Sequence, residues 1–371
     1  MATCRLCELN EANQTGSHSV PYSLIKSAVN YNGDSKRGKE FITKVGSRID
    51  YPVYVGRDII PEKEEEARTK YRYENAGRRH DNPYVEDYIL CTSCEKKLSI
   101  IEGLFAERVM HLSDNYDHQK VTELILKYED GLLTRLYAIS LFLRLSIFKS
   151  PWDFKLVPSE QRTLRILVNK CLADSKTGTM ENLLSLAPSL CAYPILVIHN
   201  HQLEDQSTAA IVMAVTKMPY TFIANRFIFL LYIKKSHLKA VRTHLFGITD
   251  LTVRYKYSNS LDNIFSMLLL DLESTNLINQ SVYSTLAQNH LHLVNSKLNH
   301  SYKKKWSELP HKDVLEAVVG MLYREGYYTG SVAPGIIEKV IDDVVEKSSP
   351  GFVKWLNSRP PGFIEGLQTE Q

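Results

Sequence analysis

Two short cysteine pairs constrain this chain more than any other feature. They are Cys4-Arg5-Leu6-Cys7, close to the start, and Cys91-Thr92-Ser93-Cys94, far downstream. A CxxC spacing lets two thiolates grip one tetrahedral ion, and two such knuckles make a closed four-sulfur site. A closed site is structural, because no coordination position is left for a substrate, and Zn2+ is the ion it suits. The chain holds six cysteines. The other two, Cys171 and Cys191, read as ordinary buried thiols. A disulfide pair and four unrelated thiols are the alternatives. A disulfide needs an oxidising compartment, and the opening residues do not read as an export leader. The expected location is therefore cytoplasmic.

Can pairs so far apart share one ion? Closing a loop costs roughly 0.6 kcal/mol per doubling of its length. A structural zinc site contributes on the order of 10–16 kcal/mol. The metal term dominates, so a shared site is feasible.

At 371 residues with 44% hydrophobic content, the chain can bury a sizeable core and form two or three domains. The net charge of +3 argues against coating nucleic acid by bulk charge, while a local basic stripe stays possible. No apolar run reaches the ~18–20 residues of a membrane span. The two longest, 136–148 and 220–233, are interrupted by Arg144 and by Asn225 and Arg226. Both read as buried elements.

The expected fold class is α+β. A zinc-binding treble clef, or ββα-metal-like module, is followed by a mainly helical region with a small antiparallel sheet. The expected boundaries are 1–110 for the zinc module, with an insertion at about 31–83; 111–192 helical; 193–258 a small sheet; and 259–371 helical. Residues 17–20 fit a short strand stopped by Pro21, and 22–29 a short helix. Apolar spacing at Leu98, Ile101, Leu104, Phe105 and Val109 puts the second knuckle at a helix N-terminus, where free amides and the dipole favour a thiolate. Residues 119–150 read as one or two helices, 159–172 as an amphipathic helix, and Lys176-Thr177-Gly178 as a loop. Runs at 195–198, 209–215, 220–224 and 227–233 read as strands, with Asn225-Arg226 at hairpin spacing. Residues 251–255 are a further candidate strand. Helical texture returns over 264–272, 282–298, 314–323 and 336–345.

His18 lies between the knuckles, in the order Ser17-His18-x-x-Pro21. With Cys4, Cys7, Leu90, Cys91, Cys94 and Glu95, this order resembles the HNH, or ββα-metal, nucleases. More narrowly it is similar to a group of uncharacterised bacterial proteins carrying CxxC, then SHxxP, then LCxxCE. The resemblance covers roughly the first 110 residues and rests on their two ends. It implies an endonuclease that hydrolyses phosphodiesters, in a bacterial defence or mobile-element setting, with nucleic acid as partner, DNA ahead of RNA. His18 would be the general base, a role that an imidazole of pKa ~6.5 suits. A divalent cation, Mg2+ or Mn2+, would stabilise charge on the phosphate. The sequence departs from the pattern at Ser17, where the family often has Asp, and at Glu95, where it often has His. Glu86 and Asp87 stand where its Asn would be, which leaves Asn82 as the nearest substitute. A carboxylate such as Glu95 binds a hard cation well. It also suits a solvated first turn of a helix.

The rival reading is a catalytically inactive, zinc-stabilised scaffold or binding module, in which His18 is a buried brace. A protein partner or homo-oligomer fits either reading. Three smaller constellations remain. His199-Asn200-His201 reads as a loop or a metal clip. Arg78-Arg79-His80, and Lys303 to Lys305 beside Trp306, read as solvated clusters or phosphate contacts. Glu102 reads as a surface or salt-bridge residue.

Overall fold

The computed structural model describes residues 2–29, 40–43, 52–55, 84–114, 120, 122–148, 154–200, 211–214, 219–224, 226–234, 236, 265–324 and 336–348. In chain order the elements begin with β1 (Ser17–His18), α1 (Tyr22–Val29), β2 (Glu40–Thr43), β3 (Pro52–Val55) and β4 (Val85–Glu86). Next come α2 (Thr92–Phe105), a π-helical turn (Ala106–Met110), α3 (His111–Asp114), β5 (Thr122–Leu126), α4 (Tyr128–Ile147), α5 (Pro158–Cys171), α6 (Lys176–Ser185) and α7 (Ala187–Cys191). The rest are β6 (Ile195–His199), β7 (Ile211–Ala214), β8 (Tyr220–Ala224), β9 (Phe227–Leu231), β10 (Phe265–Leu269), α8 (Leu272–Trp306), α9 (Lys312–Arg324) and α10 (Ile336–Lys347). The class is α+β, as expected. The chain divides into two compact units, Met1–Glu40 with His80–Val282 and Phe41–Arg79 with Tyr283–Gln371.

The first unit is built on α4. Every residue from Asp130 to Ile147 is buried, because neighbours surround the helix: α2, α5, α6 and α7, and strands β5, β9 and β10. A helix apolar all round has to be enclosed in this way. Its aromatic centre is Tyr137, stacked on Phe105 at 3.8 Å and flanked by Phe229. Beside it lies a six-stranded sheet in the order β5-β10-β6-β9-β8-β7. All pairs are antiparallel except β10 with β6. The sheet is thus larger than expected, and mixed. All five residues of β6, β8, β9 and β10 are buried, which explains continuous apolar runs in place of alternation. Strands β8 and β9 pair as the expected hairpin, with Ala224 opposite Phe227.

Three expectations are corrected here. Residues 122–126 are a strand, not the start of a helix. Leu124, Ile125 and Tyr128 mimic helical spacing, but the segment pairs along its whole length with β10. Residues 265–269 are a strand, not a helix. A short segment that is apolar except for Ser266 fits either state by periodicity, and pairing on both sides decides it. Lys176-Thr177-Gly178 opens α6 and is not a loop. The Ser175 hydroxyl accepts the Gly178 amide at 3.1 Å, and this cap offsets the poor helix propensity of glycine. The candidate strand at 251–255 lies outside the described residues.

Gly131 marks the closest approach of α4 to the sheet. A β-carbon there would sit 2.6 Å from Phe265 Cβ, on a strand held from both sides. Alanine gains up to about 1 kcal/mol in helix propensity, while overpacking a core costs about 1–3 kcal/mol. Gly131→Ala is expected to lower the urea midpoint, and Gly131→Val to lower it further. A midpoint that rises in both would show that the helix moves freely off the strand.

The second unit holds its own core. Val294, Leu298 and Tyr302 of α8 meet Val314, Val318 and Leu322 of α9 and Ile337, Val340, Ile341, Val344 and Val345 of α10. Strands β2 and β3 form a two-stranded sheet. In the basic stretch late in the chain, Lys297 pairs with Glu338, and the indole of Trp306 donates to Val345 O. Lys305 Nζ lies 5.4 Å from the Trp306 ring centre.

Candidate metal centre

The first knuckle folds as a tight hairpin. Cys4 N donates to Asn10 O and Glu8 N to Cys4 O, both at 2.9 Å. Glu8 takes a left-handed φ of 56° to close the turn. Three backbone bonds join this hairpin to the residues entering the second pair: Arg5 N to Ile89 O, Gln14 N to Leu90 O and Tyr88 N to Gln14 O. Asn13 Oδ1 accepts from both Thr92 N and Thr92 Oγ1. Cys91 is the N-cap of α2, its sulfur accepting from Cys94 N at 3.4 Å and from Asn10 Nδ2 at 3.7 Å.

These contacts bring four sulfurs from the two ends of the segment to one point. The Sγ atoms of Cys4, Cys7, Cys91 and Cys94 all lie within 4.8 Å of one another. Cys7 and Cys91 are 3.9 Å apart. A disulfide needs about 2.05 Å. A tetrahedral ion with metal–sulfur bonds of ~2.3 Å sets sulfurs roughly 3.8 Å apart. All six cysteines are free thiols, so the disulfide alternative does not hold. The four could hold a metal ion such as zinc, and they are the one such cluster among the described residues.

The ionisation of the cluster points the same way. A hydrogen bond from Cys94 pulls the Cys4 thiol down to about 4, against the effect of burial. The thiolate so formed, together with burial, pushes Cys94 strongly up. One thiolate therefore forms readily and suppresses the next. Four thiolates need a compensating dication at their centre.

The knuckle is built into the core of the first unit. Arg5 Nη1 donates to Ile147 O at 2.7 Å, at the C-terminus of α4. A cation there satisfies an orphan carbonyl and suits the dipole. Asn169 Nδ2 of α5 donates to Leu6 O at 2.7 Å, and Arg165 pairs with Glu8.

Between the knuckles, β1 and β4 pair antiparallel, Ser17 with Glu86 and His18 with Val85. His18 is half-buried, its ring edge-on to Tyr22 at 6.0 Å. Ser17 is fully buried. Successive residues of a strand face opposite sides, so these two side chains leave β1 in different directions.

Glu95 stands in the first turn of α2, within reach of the Ser17 hydroxyl. Its Oε1 lies 3.6 Å from Arg144 Nη2. Burial raises the Glu95 pKa in spite of that guanidinium. Arg144 also pairs with Glu102, the salt-bridge role open to Glu102 from the sequence. Asn82 and the Arg78-Arg79-His80 cluster lie outside the described residues. His199 ends β6 and is buried against the Phe227 ring at 4.8 Å; it is a strand residue, not a loop residue. Asn200 is also buried, and His201 lies outside the described residues.

Sequence reasoning treated Arg144 only as an interruption of an apolar run. The missed signal was there. An arginine within an otherwise apolar, enclosed helix has to be paired, and a partner carboxylate follows from that. No protein-family model, curated protein or solved structure matches this chain.

Proposed function

We propose that the N-terminal part of the first unit is a zinc-organised treble clef of the ββα-metal type, and that it hydrolyses nucleic-acid phosphodiesters with His18 as general base. The observation that carries this reading is the pairing of β1 with β4. It ties His18 to the strand that leads into the second cysteine pair. Knuckle, His-bearing strand, return strand, knuckle and helix follow one another around the four sulfurs. Zinc at that centre would fix the backbone that presents the imidazole.

In the proposed reaction the His18 imidazole accepts a proton from water, and the water oxygen attacks phosphorus. The bond to the leaving oxygen breaks, and that oxygen takes a proton from solvent. A positioned base of this kind contributes about 10²–10⁴-fold. The residues set out for a second, hard cation fit that role poorly. Ser17 is buried, and Glu95 is engaged by Arg144. DNA stands ahead of RNA as substrate.

That same engagement of Glu95 favours a second reading, an inactive zinc-stabilised scaffold or binding module. The test is incubation of the zinc-loaded protein with plasmid DNA and with RNA, with Mg2+ or Mn2+ added, against His18→Ala. The expected result is cleavage by the wild type and a loss of about 10²–10⁴-fold in the variant, at unchanged zinc content. Cleavage that survives in His18→Ala would remove His18 from the mechanism. Intact substrates with the wild type would favour the scaffold.

A further inference from the structure

Residues 303–313 carry four lysines against Glu308 and Asp313, a net +2 in a chain whose formal total is only +3. Lys303, Lys304 and Lys305 lie in the last turn of α8, and Lys312 opens α9. All four are exposed. Ser307 ends α8 with a left-handed φ of 58°, and its amide donates to Lys303 O at 2.9 Å. Elsewhere Lys97, Lys176, Lys297 and Lys347 each pair with a carboxylate. Among the described residues no carboxylate pairs with the four lysines of this turn. Asp313 instead lies 3.0 Å from His311.

A helix C-terminus favours cations and a helix N-terminus disfavours them. The dipole therefore accounts for Lys303 to Lys305 but not for Lys312. Like charges gathered on one turn repel, and a polyanion reverses that cost. The turn is also firmly held. Tyr302 and Val314, on either side of it, share one core, and the Trp306 indole donates to Val345 O at 3.1 Å. The apolar faces of α8, α9 and α10 are spent on that core, which leaves no stripe to insert into a bilayer. Lys305 Nζ lies over the Trp306 ring, so Trp306 braces a lysine and does not offer that face to an unpaired base. What remains is charge on a fixed frame, the chemistry that meets phosphates along a duplex.

We infer that the turn between α8 and α9 is a docking surface for the phosphate backbone of duplex DNA, with Lys303, Lys304, Lys305 and Lys312 as its contacts. Such contacts hold a duplex without reading its sequence. The surface belongs to the second unit, and the cysteine cluster and His18 to the first. Binding here needs no catalysis and does not depend on the nuclease reading.

The test is the salt dependence of binding to a short fluorescent DNA duplex, using the zinc-loaded protein without added Mg2+ or Mn2+, so that binding is read apart from cleavage. Counterion release sets the slope of log K against log salt at about −0.9 per neutralised phosphate. Lys303→Gln, Lys304→Gln and Lys305→Gln together are expected to make the slope shallower by about 2–3, and Lys312→Gln alone by about 1. Arginine at the same four positions is expected to keep the wild-type slope. Exposed substitutions of this kind leave the melting temperature nearly unchanged. A wild-type slope near zero, or one that the glutamine variants do not alter, would overturn the inference. So would binding to phosphatidylglycerol vesicles that the triple variant loses while its DNA slope stays the same. A lysine-dependent slope in a protein that cleaves nothing would count against the nuclease reading and support this surface.

Discussion

Cys94→Ser is expected to abolish metal binding and to unfold the first unit well below the wild-type melting temperature. A structural zinc site contributes on the order of 10–16 kcal/mol in small peptides, against a typical net stability of about 5–15 kcal/mol for a whole domain. The loss would not stay local. The knuckle donates from Arg5 to the last turn of α4 and accepts from Asn169 of α5. Releasing it leaves the Ile147 carbonyl without that donor, at the end of the helix on which the unit is built. At roughly 2–4 °C per kcal/mol for a unit of this size, a drop of about 10 °C or more is expected by calorimetry. Chelation of the wild type should act in the same direction. So should acid, because protons compete with the metal for thiolates; the ion is held at neutral pH and released as pH falls. A variant without metal that melts within a degree or two of the wild type would show that the cysteines are not structural.

The second large effect is expected at Arg144. Its guanidinium is almost fully enclosed and serves two glutamates at once. Arg144→Met keeps much of the volume but leaves Glu95 and Glu102 facing each other without a counter-charge. Removing one partner of a buried ion pair costs about 3–5 kcal/mol, a large fraction of the stability of the unit. Adding Glu95→Gln and Glu102→Gln to Arg144→Met should recover most of the loss, since the penalty lies in the uncompensated charges. Urea unfolding measures both. A single variant that costs less than about 1 kcal/mol would mean that solvent already reaches the glutamates freely.

The limits of sequence reading in this chain are physical. The cysteine pairs were legible because thiolate spacing is short-range chemistry, independent of the 31–83 segment between them. The β8–β9 hairpin was legible because its turn is local. So were α1, α5 and α10, whose apolar stripes have the helical period. Strand β5 was not, since three apolar residues at 124, 125 and 128 satisfy the helical template by accident. Strand β10 was not, because a fully enclosed strand has no polar face to reveal a period of two. In both cases the deciding information is the partner strand, remote in sequence. Arg144 was visible as an interruption, but its glutamates sit on another helix, where periodicity is silent.

Four sulfurs from distant parts of the chain are placed so that they could hold one ion. The decisive measurement is X-ray absorption at the zinc edge, on the protein purified without added metal. One zinc per chain, bound by four sulfurs at about 2.3 Å, is expected. Nitrogen or oxygen among the ligands, or a fully folded chain with no bound metal, would contradict it.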